Sequence, residues 1–541
     1  MNNKQNGNRP KSTFQRYLPY IFLGIIVICF ISVFSYTVNH KLDLNGDNAT
    51  YIQLARNMAE GHGYTTLNLE GEYVPASHFP PGYSALLSFF MRIGIDSLMA
   101  FKILNGIFLG LGIIILYFIT WKVTKQLYLA FSIAILSVLA PSTLHFAGMV
   151  MSEMSYMLAT VLAILSLFLY DRQMAKKRDP ELKSSQVSPF YKSPYFYTAI
   201  LFGAAAYYIR SIGSSILFAI LVFFLFRKEW KAAIASVAGI AVCLLPWIIR
   251  NSVHHIKGRY LGTVMTVNPW RPEEGQISSI GEMVDKMLTN INDTVIQGFR
   301  TILFPFSKPE NGFGYIILGI IILGIVIWGI WNMGKMRWAF LAFLLANIGV
   351  FALWHGGNGT RYVTPLVPFV FMFFYTGVFF LTKCVCRKKA MKENRIWPSI
   401  LLFLVVPMIE PIEQMHESVR RPYPMAYTNY FAIAQAVEKD MPEHSIVCCR
   451  KPELFSYYSP HSRTTNYLYS LETDSVIANL VRKNVDFVVL DQLGYSSTAR
   501  YLYPAIRKNP ELFQTVYHLT GPDTYLFRFN KEEAKQKIGI R

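Results

Sequence analysis

Five ionisable residues stand at the ends of strongly apolar segments, where a soluble protein seldom needs them. They are Asp47, Glu153, Arg210, Arg250 and Arg361. A charge at mid-bilayer costs about 2.5–3.5 kcal/mol on insertion scales, so such groups usually face a cavity or a partner. The order of apolar segments along the chain predicts that all five lie on the same side of a membrane. We therefore interpret them as candidates for one polar site.

Asp47 opens a stretch with helical spacing. Tyr51 follows at i+4, Ala55 at i+8 and Met58 at i+11, and Gly61-His62-Gly63 ends the pattern. A helix of about four turns is too short to cross a bilayer of about 30 Å, which predicts an amphipathic helix lying along the membrane surface. That helix would hold a carboxylate beside the lipid headgroups. The alternative is that Asp47 only caps the helix, since Asp is a favoured N-cap residue.

The other four charges have alternatives of their own. Glu153 begins an apolar segment and could cap it, and long arginine side chains such as Arg210 can reach lipid headgroups. Arg250 ends a helix, where a cation is favourable against the helix dipole. Arg361 begins one, where a cation is unfavourable and a phosphate is welcome, so its position favours a binding role.

Two histidines in loops are further candidates for contacts with a phosphate or a hydroxyl. His78 precedes Pro80-Pro81 and His355 precedes Gly356-Gly357. A lone loop histidine is more often simply solvated. The six cysteines and the pair His254-His255 lack the ligand number and spacing of a zinc site. No cofactor is predicted, and a divalent metal stays possible without a ligand motif to support it.

The composition indicates a polytopic membrane protein. Of 541 residues, 52% are hydrophobic and 16% charged, whereas soluble chains average about 25% charged residues. The formal net charge of +19 could suggest nucleic acid in a soluble protein. Here much of the excess sits in short loops between apolar segments, which is how the positive-inside rule orients a membrane protein. We therefore predict membrane lipids as partners and no nucleic acid.

The apolar segments predict about eleven spans within residues 18–413. Residues 1–17 form a basic tail that is expected to stay cytosolic, and the first apolar run is too long for a cleaved signal peptide. Residues 39–96 and 251–310 are expected to be extracytoplasmic loops, the first carrying the Asp47 helix and a second short helix over 80–95. The protein would reside in the cell or inner membrane as a multi-pass protein.

From about residue 414 the composition becomes that of a water-soluble domain. Helical and strand patterns alternate up to TYLFRF at 524–529, which predicts a small α/β domain over 414–541. An odd number of spans places it on the extracytoplasmic side. The expected fold class is therefore mainly α, a helical membrane bundle with amphipathic outer helices and a C-terminal α/β domain.

Six motifs in order carry a family resemblance: GDNATYIQLARNMAEGHGY, FPPGY, MSEMSYMLATVLAIL, IRSIG, LLPWIIRN and TRYVTPLVPF. This set, over about residues 15–385, resembles integral-membrane glycosyltransferases of GT-C fold, in the branch of protein O-mannosyltransferases and lipid A aminoarabinose transferases. Relatives often read Asp-Glu at the first acid, whereas Asn48 follows Asp47 here.

The resemblance implies transfer of a hexose or pentose from a polyprenyl-phosphate donor to a hydroxyl of a protein, lipid or glycan acceptor, with inversion. It implies that Asp47 is the base and that Tyr51, Glu153 and His78 support base or acceptor. It also implies the residues that bind the donor phosphate: Arg210, Arg250, Arg361 and His355.

Three other functions fit the same pattern. A transporter or flippase of lipid-linked sugars would also have many spans and intramembrane charges. A whole-glycan transferase or ligase would share the chemistry with a larger donor. A non-catalytic scaffold would use only the C-terminal domain for binding. Sugar, acceptor and carrier length are not encoded in the motifs.

Overall fold

The membrane part of the chain is a bundle of long apolar helices. We analysed a computed structural model that describes residues 13–176, 189–256, 259–305, 312–354, 359–385 and 396–539. Its helices up to the last loop of the bundle are α1 (Thr13–Thr37), α2 (Asp47–Ala59), α3 (Gly82–Arg92), α4 (Leu98–Thr124), α5 (Leu127–Val138), α6 (Pro141–Ala147), α7 (Glu153–Lys176), α8 (Pro194–Ile209), α9 (Ser214–Phe226), α10 (Trp230–Val253), α11 (Arg259–Met265), α12 (Ile280–Ile291), α13 (Gln297–Leu303), α14 (Phe313–Trp331), α15 (Arg337–Leu353), α16 (Gly359–Val363) and α17 (Val367–Val385).

Within the described residues, eight helices are long and apolar enough to cross a membrane. A ninth is counted if α5 and α6, which meet at 55° beside Pro141, form one bent span. Two further predicted segments, α8 and α9, are helical but have only 16 and 13 residues. The chain is thus a multi-pass membrane protein, as expected. The number of eleven spans and their orientation stay predictions.

The helices α7 and α17 lie at the centre of the bundle, while α1 and α10 lie at its surface. In their most apolar stretches 78% and 89% of the residues of α7 and α17 are buried, against 22% and 17% for α1 and α10. Helices that are apolar all round belong either in a core or against lipid. Gly329 and Gly377 allow α14 and α17 to pack backbone against backbone, because a Cβ at either glycine would overlap the facing helix.

The expected amphipathic helices are present, but they pack against protein on more than one side. After α2, strands β1 (Thr65–Leu67) and β2 (Tyr73–Pro75) form an antiparallel hairpin, and α3 then packs along α2. Tyr51, Ile52 and Ala55 of α2 share one apolar cluster with α3 and with Tyr430 and Phe431 of the C-terminal domain. The α2 helix therefore lies between the bundle and that domain, and does not lie bare on a bilayer.

The C-terminal domain is joined to the bundle by nearly continuous helix. A 3₁₀ segment, Trp397–Val405, leads into α18 (Val406–Arg420), which crosses the change in composition near residue 414, and α19 (Met425–Asp440) follows. The remaining elements are β3 (Ile446–Cys448), α20 (Pro452–Tyr458), β4 (Arg463–Thr465), α21 (Thr473–Arg482), β5 (Phe487–Leu490), a π-helical turn over Thr498–Leu502, α22 (Tyr503–Lys508), β6 (Phe513–Leu519), β7 (Thr524–Phe529) and α23 (Lys531–Ile538).

The five strands form one mixed sheet in the order β4-β3-β5-β7-β6. Strands β4, β3 and β5 are parallel, and β7 and β6 are antiparallel additions. Alternate residues face opposite cores: Val447 faces the cluster shared with α2, and Ile446 and Cys448 face α21 and α22. The small α/β domain is confirmed. TYLFRF forms β7, the last strand in the chain, and lies between β5 and β6 in the sheet.

Candidate active site

Asp47 is the first residue of α2 and is held at a sharp turn. Gly46 precedes it with φ +100°, a conformation that side chains with a Cβ rarely adopt. Gly46, and not Asp47, occupies the N-cap position of α2. The Asp47 Oδ2 accepts a hydrogen bond from Arg361 Nη2 at 2.5 Å. The capping alternative therefore does not describe what this side chain does.

Glu153 begins α7 and is completely buried. Its Oε1 accepts from Arg210 Nη1 at 2.8 Å and from Arg361 Nε at 3.2 Å. Its Oε2 has no hydrogen-bond partner among the described residues. One carboxylate oxygen thus holds two arginines from distant parts of the chain. The second arginine connects it to Asp47, so the four side chains form a continuous ion-paired row.

Arg210 reaches this row because the chain breaks between α8 and α9. Its backbone is extended, with φ −146° and ψ 135°, and Gly213 then lies so close to Ala206 and Tyr207 that a Cβ there would overlap them. Arg210 Nη1 also donates to Ser152 Oγ at 3.0 Å. The IRSIG motif therefore works as a helix break that turns a guanidinium towards Glu153.

Tyr51 joins the site through Ser152. Its hydroxyl lies 3.0 Å from Ser152 Oγ, and its ring stacks on Phe79 with centroids 4.4 Å apart. The ring is buried, and burial is the main cause that raises the pKa of Tyr51 above its ordinary value. The phenol is therefore protonated at neutral pH. It acts as a fixed hydrogen-bonding group one turn from Asp47.

Asp43 is a second carboxylate that the sequence interpretation missed. Its Oδ2 accepts from the Asn45 backbone N–H at 3.1 Å. Burial raises the pKa of Asp43, against the lowering effects of that hydrogen bond and of His145, Lys102 and Arg361. Asn48 donates to the Asp43 carbonyl at 2.9 Å. The signal available in the sequence was the pair of acids four residues apart in DLNGD.

Of the remaining predicted site residues, Arg250 and His78 are not in this row. Arg250 Nη2 donates to the carbonyls of Tyr64 and Ala76 at 3.0 and 2.9 Å, so it ties the end of α10 to the β1–β2 hairpin. His78 is exposed, and its ring lies edge-on to Phe79 with centroids 4.3 Å apart. His355 lies outside the described residues. Their roles stay predictions.

The charges of the row cancel, since two guanidiniums face the carboxylates of Asp47 and Glu153. An incoming phosphate would have to compete with a carboxylate for one arginine. The side chains of Arg361 and Arg210 are equally exposed, at 17%, but Arg361 pairs with Asp47, which is 27% exposed, whereas Arg210 pairs with the fully enclosed Glu153. Across the described ranges, no cluster of three or more His, Cys, Asp or Glu side chains is placed to hold a metal ion.

Solved structures match nearly the whole chain. AglB, the oligosaccharyltransferase of Archaeoglobus fulgidus, solved with an inhibitory peptide and a dolichol-phosphate, is 14% identical with a TM-score of 0.58, covering 96% of this chain and 75% of AglB. ArnT of Cupriavidus metallidurans, solved with undecaprenyl phosphate, is 11% identical with a TM-score of 0.56, covering 95% of this chain and 98% of ArnT. No protein-family profile and no curated protein sequence matches.

Both matched structures are GT-C fold membrane glycosyltransferases. The chain therefore has the GT-C fold, with a long apolar bundle, short outer helices and a C-terminal domain above them. This confirms the fold expected from the six ordered motifs. At such low identities the likeness concerns the fold, and activity must be argued from the side chains of the site.

Proposed function

We propose that this protein is a membrane glycosyltransferase that moves a sugar from a polyprenyl-phosphate donor to an acceptor hydroxyl. The observation that carries the proposal is the row Asp47–Arg361–Glu153–Arg210. In this row a partly exposed carboxylate pairs with Arg361, and Glu153 holds Arg361 beside Arg210, at the ends of apolar helices. The polyprenyl phosphates bound by AglB and ArnT support a donor of this chemical class.

The reaction would be a single displacement. Asp47 accepts the proton of the acceptor hydroxyl while that oxygen attacks the anomeric carbon. The bond between this carbon and the phosphate oxygen breaks, and polyprenyl phosphate leaves with the electron pair. Attack opposite the leaving group inverts the anomeric centre.

Arg361 would act on both the base and the leaving group in this step. In the resting site its Nη2 binds Asp47. When it turns to the donor phosphate, it releases the carboxylate to accept a proton and stabilises the charge that builds on the leaving group. Glu153 holds Arg361 and Arg210 by a single oxygen, and this fixes their spacing. Tyr51 and Ser152 position Arg210 from the other side.

The proposal includes the orientation of the chain. The basic tail 1–17 would be cytosolic, and loops 39–96 and 251–310 with domain 414–541 would lie outside. Helix α19 and strand β5 contribute to the cluster that buries α2, so the domain would shield the site from water. Sugar, acceptor and carrier length are left open.

Substitution of Asp47 by Asn tests the assignment of the base. Asn keeps the size and loses the proton acceptor, so transfer should fall by about 10²–10⁴-fold with expression and polyprenyl-phosphate binding retained. Asp47→Glu should recover little, since a displacement of about 1 Å can cost about 10²-fold. Near-normal transfer by Asp47→Asn would refute the assignment.

The same assay separates an enzyme from a transporter. Purified protein in detergent should transfer sugar from a labelled donor to acceptors in an envelope extract. A transporter needs a sealed membrane and would give no product there. Movement of lipid-linked sugar across vesicles without product in detergent would favour the transporter.

A further inference from the structure

The C-terminal domain contains a switch point between parallel strands, where open α/β sheets form a crevice, and the row at Asp47 does not use it. In the order β4-β3-β5, the first strand β3 lies between its two successors. Helix α20, which follows β3, packs on one face of the sheet, and α22, which follows β5, packs on the other. The chain therefore leaves the carboxyl ends of β3 and β5 in opposite directions. In open α/β sheets this switch point is where ligands bind.

Arg450 lies directly beyond the end of β3 and is 9% exposed. Its Nε donates to Ser497 Oγ at 2.6 Å. Among the residues that the structure describes, its two terminal nitrogens have no hydrogen-bond partner and no carboxylate within ion-pair distance. Aromatic rings surround it, with Tyr495, Tyr469 and Trp270 at 4.4, 5.6 and 5.8 Å from the guanidinium carbon. The buried guanidinium thus has two terminal nitrogens, with four N–H groups, available to a ligand.

Asp491 is the residue after β5 and is 3% exposed. Its Oδ1 accepts from Leu493 N at 3.1 Å and from Thr498 Oγ1 at 3.5 Å. Its Oδ2 is buried and has no partner in the described part of the chain. Burial raises the pKa of Asp491 to about 6, although Arg450 lowers it. Buried carboxylate oxygens in folded proteins usually have a hydrogen-bond partner. The Oδ2 atom of Asp491 is therefore available to a hydroxyl or N–H group of a ligand.

The crevice is walled by both parts of the protein. Trp270 belongs to the segment between α11 and α12, and neighbouring Glu273 accepts from the Tyr501 hydroxyl at 2.9 Å and from Arg500 Nε at 2.8 Å. Lys451 follows Arg450 and donates to the Asn45 carbonyl at 2.7 Å, two residues before Asp47. The segment that carries Trp270 and Glu273 therefore borders one side of the site, where the C-terminal domain meets the loops of the bundle.

We infer that this crevice binds a hydroxylated phosphate ester, such as a polyol or sugar phosphate. The two free nitrogens of Arg450 match two oxygens of a phosphate, and Lys451 adds positive charge beside it. The free Oδ2 of Asp491 accepts a hydroxyl of the same ligand, and the rings of Tyr469, Tyr495 and Trp270 pack against its carbon atoms. This site does not depend on the proposed transfer reaction at Asp47.

The test measures binding of glycerol 3-phosphate and of inorganic phosphate to the full-length protein in phosphatidylcholine nanodiscs, by saturation-transfer NMR. We expect Arg450→Gln to weaken both ligands by about 10–100-fold, the size of a lost charge-assisted hydrogen bond. Asp491→Asn should weaken glycerol 3-phosphate by several-fold and leave inorganic phosphate unchanged or tighter. Arg528→Gln, an exposed arginine on β7 of the same domain, is the matched control for net charge.

Nanodiscs that contain phosphatidylglycerol distinguish the source of the ligand. If phosphatidylglycerol displaces glycerol 3-phosphate from the wild-type protein, the ligand of the site is a lipid headgroup. If binding of glycerol 3-phosphate is unchanged, the ligand is a soluble phosphate or a phosphate on the acceptor. The inference is overturned if wild type binds neither probe in either disc, or if Arg450→Gln and Arg528→Gln behave alike. Asp47→Asn should bind both probes normally, so failure of the transferase proposal would leave this result intact.

Discussion

Arg361 and Arg250 are a matched pair of half-buried arginines for which the structure predicts different outcomes. Arg361 bonds two carboxylates of the site, Asp47 and Glu153. Arg250 bonds two backbone carbonyls and the side chain of Asn251. If the ion-paired row binds the donor phosphate, Arg361→Ala should weaken phosphate binding. Arg250→Ala should leave it unchanged.

The magnitude follows from the bonds that are lost. A hydrogen bond to a charged group contributes about 1.5–3 kcal/mol, so Arg361→Ala should weaken polyprenyl-phosphate binding by about 10–150-fold. It also leaves Asp47 without a cation, and turnover should fall further. Arg361→Lys should recover part of the affinity, because an ammonium keeps the charge but lacks the planar fork with which a guanidinium binds a phosphate in a bidentate manner.

Binding of labelled undecaprenyl phosphate to purified protein in detergent measures the first effect without requiring the acceptor. Arg250→Ala should keep the wild-type dissociation constant and lower the apparent melting temperature, because the tie between α10 and the hairpin is lost. Thermal unfolding of all variants controls for folding. Weaker binding of undecaprenyl phosphate by Arg250→Ala, with wild-type binding by Arg361→Ala, would refute the assignment of the phosphate to the ion-paired row.

Three further substitutions test how the sites are built. Glu153→Gln removes a negative charge beside both arginines, so undecaprenyl phosphate should bind up to about tenfold tighter while turnover falls. If the variant instead lost both binding and turnover, the role of Glu153 in positioning the arginines would be contradicted. Asp491→Asn should stabilise the C-terminal domain at pH 7 by up to about 3 kcal/mol, since burial raises the pKa of Asp491 from 3.8 to about 6. The stabilisation by Asp491→Asn should grow as pH rises from about 4 to 6, because folded Asp491 retains a proton that the unfolded state releases. Gly46→Ala should lower the free energy of unfolding by about 1–2 kcal/mol, because residue 46 has φ +100°, and it should also displace Asp47 and reduce transfer. Gly61→Ala, at φ +95° with open space around it, should lower stability but keep transfer. Thermal unfolding and transfer assays on both variants measure these effects.

The membrane bundle could be predicted because its signal is local. Long apolar runs need a helix wherever backbone groups meet lipid, so the segments containing α1, α4 and α17 were recognisable from composition alone. The alternation in the C-terminal region likewise predicted helix and strand at α19 and β5. Short elements such as β4, with three residues, carry too little periodicity to be recognised.

The sequence predicted which residues belong to the candidate site, but not which of them contact one another. Asp47, Glu153, Arg210 and Arg361 stood out because charge is costly beside apolar segments. Arg250 stood out for the same reason, yet its donors end on backbone carbonyls. Asp43 was missed because it lies in a loop, where an acidic residue is ordinary until the fold partly buries it.

The sequence by itself determined that this is a multi-pass helical protein and which charges are costly enough to need partners. Only the tertiary structure decided which of those charges meet, because contacts such as Arg361 with Asp47 join positions 314 residues apart. It also decided that Arg450 and Asp491 face one crevice, since that depends on the order of strands in a sheet. Hydrophobicity is read along the chain, whereas ion pairing depends on distances that exist only after the helices have packed.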